Sequence, residues 1–174
     1  MRRQVLILSL IGLLWAEGFL VIAGARGGIV ALPPAISGLL VLAGWKTIGP
    51  SALPAQDVGR IGRAVRIWFL IEAAAIVGAI VVLNRLHAPG LIPGTILILV
   101  GLHFVPLARQ IPQPFYYATG AVMVAAGLLS VMVLPASLQM LAPLAAGTMI
   151  LWGTAVAIIV ANGNRAPDPN LREG

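Results

Sequence analysis

The chain has 174 residues, 60% of them hydrophobic and 9% charged, with a mean hydropathy of +1.02. Soluble domains carry about 25% charged residues, so this composition excludes a water-soluble globular fold and leaves no room for a separate soluble domain of about 50 residues or more. Cysteine is absent, which excludes disulfides, iron–sulfur ligation and thiol nucleophiles, and the net charge of +6 has to be explained by where the basic residues fall.

Several apolar runs reach the 18 or so residues that a membrane-spanning helix needs. The predicted fold is all-α, a polytopic transmembrane bundle of about six helices forming a single domain over 1–161. The spans fall at roughly 4–24, 29–46, 67–84, 91–108, 115–134 and 140–161, followed by a flexible polar tail at 162–174.

The first span follows Arg2 and Arg3 and ends at Ala23-Gly24-Ala25, a small-residue pattern that also fits a cleavable signal peptide. Its apolar run is longer than a signal core and contains Glu17, so a transmembrane helix is expected. The second span holds Pro33-Pro34, a pair that cannot continue a hydrogen-bonded helix. Either the helix starts there, where proline is tolerated in the first turn, or the segment is broken, as some helices at transport sites are.

Residues 47–66 form the longest connection. Within it Val58, Ile61 and Val65 recur at helical spacing, with Arg60, Arg63 and Arg66 between them. Such a stretch suits a short amphipathic segment at the inner interface, with the three arginines contacting anionic lipid headgroups. Plain positive-inside anchoring of the next span accounts for the same residues.

An N-terminus in the cytoplasm puts Arg2, Arg3, Lys46, Arg60, Arg63, Arg66, Arg109, Arg165 and Arg172 inside and leaves only Arg26 and Arg85 outside, nine against two. The positive-inside rule therefore places both termini in the cytoplasm. Topology thus accounts for the positive charge, and nucleic acid is not an expected partner. Trp45, Trp68, Phe115, Tyr116 and Tyr117 fall at the same predicted ends, where amphipathic rings favour the interface.

The third span, "IWFLIEAAAIVGAIVVL", contains one carboxylate, Glu72. An ionisable group inside a membrane costs a few kcal/mol by insertion scales and suggests a functional site with a partner. The partner predicted for Glu72 is His103 in the fourth span. A short outer connection makes the two spans antiparallel neighbours, and both residues lie five positions from the inner end. Ala75 and Ala79, with Gly78 beside them, share the face of Glu72 and predict that it turns into the bundle. Arg109 stands at the inner mouth of the fourth span, and Pro106 removes the hydrogen bond to the Leu102 carbonyl beside His103. Glu17 lies nearer the outer surface, where Arg26 or Arg85 would form a second polar cluster.

The stretch "GLHFVPLAR" at residues 101–109, followed by a tyrosine-containing helix start, resembles a segment of small multi-pass bacterial membrane proteins without an assigned function. The resemblance covers about twenty residues. It implies a bacterial cytoplasmic-membrane protein and carries over no catalytic residues.

No GxxxxGK[ST], HExxH or GxSxG pattern occurs. The acids Glu17, Asp57, Glu72, Asp168 and Glu173 are too scattered for a carboxylate metal cage, and a single intramembrane histidine argues against a two-histidine haem site. No cofactor, metal or catalytic residue is predicted. Three functions remain: a small-solute or proton-coupled carrier built on Glu72 and His103, a structural or accessory membrane subunit, and a lipid-modifying enzyme whose site opens to the inner leaflet. The carrier is the leading expectation and an enzyme the less favoured one. The partners expected are the bilayer, its anionic headgroups and a second copy of the chain, since Gly120, Ala121, Ala125, Gly147 and Gly153 suit packing within the chain or across a dimer.

Overall fold

The computed structural model describes residues 2–48, 55–111 and 114–163. The elements are α1 (Arg2–Ile22), a 3-10 turn (Gly27–Ala31), α2 (Leu32–Thr47), α3 (Ala55–Arg85), a 3-10 turn (Pro89–Leu91), α4 (Ile92–Gln110), α5 (Pro114–Met132), the short α6 (Ala136–Gln139) and α7 (Ala142–Gly163). Among the described residues, six stretches are long and apolar enough to cross a membrane: Gln4–Ile22, Gly27–Thr47, Gly62–Arg85, Pro89–Gln110, Phe115–Met132 and Ala136–Gly163. The protein is a multi-pass, all-helical membrane protein. With no water in the hydrocarbon to satisfy main-chain N–H and C=O groups, helices that bond internally are what an apolar chain of this kind forms.

The helices come as three successive hairpins. In each, a short helical turn leads into a second helix that carries a proline in its first turn: Leu32-Pro33, Ile92-Pro93 and Ala142-Pro143. At that position the missing N–H has no intrahelical partner to lose, and the fixed φ suits the helix. The proline pair at 33–34 therefore starts α2 and does not break it. The three second helices also bury matching positions. Pro33, Pro93 and Pro143 are buried, as are Ser37, Leu97 and Gly147 one turn on, and Gly44, Phe104 and Thr154 further along. Two of the tight turns use left-handed backbone, Gly24 at φ 67° and His87 at φ 55°. Glycine adopts that conformation without penalty; histidine does so less readily.

Across the bundle the helices follow one another as α2, α1, α7, α5, α4 and α3, with α7 also touching α2 and α4. Lipid is as apolar as leucine, so close packing and interhelical hydrogen bonds must hold the helices together. The α4–α5 seam is the tightest. A Cβ on Gly101 would lie 2.8 Å from the Gly120 carbonyl oxygen, and a Cβ on Gly127 would lie 2.8 Å from that of Gly94. Only glycine permits this approach. Between α1 and α7, Gly12 receives Trp152 and Gly147 receives Trp15. Polar links join further seams. Ser37 donates to the Ser9 carbonyl at 3.1 Å, and the Thr119 and Thr154 hydroxyls meet at 2.7 Å. At the end that holds the start of α1, Arg2 Nε donates to the Ile48 carbonyl and the guanidinium lies over Trp45. Gly163 packs beside Thr47 at that same end, so the first and last helices begin and finish on one side.

α3 sits apart. Its helical neighbour is α4, and none of Gly62–Arg85 is buried. Residues 55–66 are helical and continuous with the span. Residues 49–54 and the tail from 164 onward, with Arg165, Asp168, Arg172 and Glu173, lie outside the described residues, as does the side chain of Arg60.

Candidate functional site

Glu72 lies near the middle of the apolar stretch of α3, and His103 in the C-terminal half of α4. The α3–α4 hairpin brings them together, with His103 Nδ1 3.4 Å from Glu72 Oε2. Their side chains are 12% and 13% exposed respectively. At 3.4 Å the contact is longer than the usual 2.7–3.2 Å hydrogen bond but within ion-pair range.

The pair forms part of the wall of a cavity of about 160 Å³. The remaining wall is Trp68, Ile71 and Ala75 from α3, and Leu99, Leu102 and Pro106 from α4. Pro106 stands inside a continuous α4. Having no N–H, it leaves the Leu102 carbonyl without its helical donor. Because α3 is an outermost helix and the wall comes from α3 and its neighbour α4, the cavity is a lateral cleft on the rim of the bundle.

The other predicted site residues fall elsewhere. Arg109 is in the last turn of α4, exposed and away from the cavity wall. Arg26 and Arg85 are exposed and Glu17 is partly buried, and among the described residues no ion pair joins Glu17 to either arginine. Arg63 and Arg66 are exposed on α3.

The small residues expected to seat Glu72 against the bundle behave differently. Ala75 is exposed at the edge of the cavity, and a Cβ on Gly78 would meet nothing within 4 Å. A small-residue row marks a helix able to pack closely, and α3 has a single neighbour to pack against. Among the described residues, the contacts that cover Glu72 come from α4. Of the glycines in the last two spans, Gly120 and Gly147 pack within the chain, and Gly153 faces open space. Tyr116 is likewise buried, 3% exposed, edge-on to Phe104 with ring centroids 5.5 Å apart, and does not sit at the surface of the bundle.

A second cavity of about 260 Å³ lies between α1, α2 and α7, lined by Phe19, Leu20, Ile29, Pro33, Met149 and Trp152 among others. Its wall is almost wholly apolar and carries no charged side chain. Sequence reasoning did not single it out, since no charged residue marks it.

Comparison with protein families, characterised proteins and solved structures gives no match. The functional reading rests on the site itself.

Proposed function

We propose that the protein is a small-solute or proton-coupled carrier of the bacterial cytoplasmic membrane, working through Glu72 and His103. The observation that supports this is the pairing of an acid and an imidazole 3.4 Å apart on the wall of a cavity, within a span that is otherwise apolar. A group kept in the membrane against a cost of a few kcal/mol is usually one that binds or relays. Both side chains gain and lose protons reversibly, so together they can hold a proton, pass it on or exchange it for a solute. The basic residues set the orientation, with both termini cytoplasmic, and Arg60, Arg63 and Arg66 meet anionic headgroups at that face. Arg109, at the inner mouth of α4, draws anions to the same surface. The test is proton uptake by vesicles holding the purified protein, compared with Glu72→Gln: the reading requires flux that the substitution removes.

A second reading, an accessory subunit, is favoured by the uncovered small-residue face of α3 around Gly78. It requires a partner chain or a second copy along α3, detected by cross-linking in native membranes. An inert protein cross-linked there would replace the carrier reading.

A further inference from the structure

The cleft's chemistry narrows what it holds. Its one charged group able to bear a negative charge is Glu72, and among the described residues His103 is the only side chain paired with it. That pairing occupies Oε2. The Leu102 carbonyl in the same wall has lost its helical donor to Pro106. On the donor side the wall has the His103 ring, which already faces Glu72, and the Trp68 indole. Trp68 is 41% exposed and lines the cleft, and an indole attracts a cation that comes within about 6 Å of its ring. The rest of the wall is Ile71, Ala75, Leu99 and Leu102. An ionised carboxylate only accepts, and an ammonium group only donates, with up to three N–H groups.

Size and access complete the description. The volume of about 160 Å³ is close to that of an engineered cavity of about 150 Å³ that binds benzene. One ring or a short branched alkyl group therefore fills it. The cleft lies on the rim between α3 and α4, where the entering molecule comes from the bilayer. Such a molecule must dissolve in lipid and expose one cationic donor at its head.

We infer that the α3–α4 cleft is a binding site for small lipophilic organic amines, with the ammonium against Glu72 and Trp68 and the apolar body among Ile71, Ala75, Leu99 and Leu102. This rests on reading Glu72 and His103 as a solute site, and it names the class of solute. His103 then orients the carboxylate, acting as a positioning residue.

The experiment is equilibrium binding of benzylamine to the full chain in lipid nanodiscs, corrected with protein-free discs for partitioning into lipid. Benzyl alcohol and phenylacetate, of the same ring size, serve as neutral and anionic comparators. Saturable benzylamine binding is expected, weakened at least about tenfold by Glu72→Gln, a modest loss for a charge-assisted contact. Ala75→Phe fills the apolar part of the cleft, leaves the carboxylate in place and, at an exposed position, spares the fold. It should abolish saturable binding. No saturable binding, equal binding of benzyl alcohol, or binding unchanged in both variants would overturn the inference. Proton flux separates the two claims: binding without flux keeps the amine site and removes the carrier, while flux without binding does the reverse.

Discussion

His103 Nδ1 on α4 lies 3.4 Å from Glu72 Oε2 on α3, and among the described residues this is the one carboxylate paired with a basic side chain. The contact joins the outermost helix to the rest of the bundle, yet α3 is otherwise held by apolar packing along α4. The cohesion of α3 therefore rests mainly on that packing.

That placement predicts a small effect on stability. Glu72→Gln keeps the shape and a hydrogen-bonding amide, so it should change the thermal unfolding midpoint in detergent by a few degrees at most, consistent with about 0.6 kcal/mol for a typical interhelical polar contact in a membrane protein. A collapse of the fold in this variant would show that the pair is structural.

The α4–α5 seam should be far less tolerant. Gly101→Leu forces a side chain toward a carbonyl oxygen that a bare Cβ would already approach at 2.8 Å. Overpacking of this kind costs about 1–3 kcal/mol or more. Gly78→Leu, in open space, should leave unfolding unchanged, and the pair of variants measured together checks that α3 is peripheral.

How much of this was legible beforehand follows from what each residue type signals. Long apolar runs mark spans whatever their neighbours, so the six helices could be read directly, and Pro33-Pro34 could be read as a first turn once a helix was placed after it. The approach of Glu72 to His103 followed from a short connection that makes consecutive spans antiparallel. The partners of small residues could not be read. Ala75 and Gly78 look as ready to pack as Gly101 and Gly120, but packing needs a neighbour on that face, which α4 and α5 provide for each other and Gly78 lacks. Arg26 and Arg85 share an expected side with Glu17, and that alone did not make them a cluster.

Thr119 and Thr154, with hydroxyls 2.7 Å apart, link α5 to α7. Each hydroxyl also lies within hydrogen-bond distance of a carbonyl in its own helix, Phe115 and Ile150 respectively, and having one proton each, one hydroxyl donates across the seam while the other donates to its own helix. A double-mutant cycle with Thr119→Val and Thr154→Val should therefore give a coupling of about 0.6 kcal/mol and not above about 1.7. Strictly additive unfolding energies would show that the hydroxyl pair contributes nothing across the seam.

Orientation is open to labelling, because the chain has no cysteine of its own. His87→Cys, in the turn after α3, should react with a membrane-impermeant maleimide in intact cells. Arg63→Cys, on the extended start of α3, should react only after permeabilisation. The reverse pattern would invert the bundle in the membrane.

The most direct measurement is proton flux into proteoliposomes under an imposed pH gradient, for the unaltered protein, Glu72→Gln, His103→Ala and Gly78→Leu. Flux that Gly78→Leu retains and Glu72→Gln lowers by roughly a hundredfold, the lower end of what a positioned proton-transfer group contributes, is the predicted result, with His103→Ala falling between. Equal flux in all four, or none in the unaltered protein, would contradict the account.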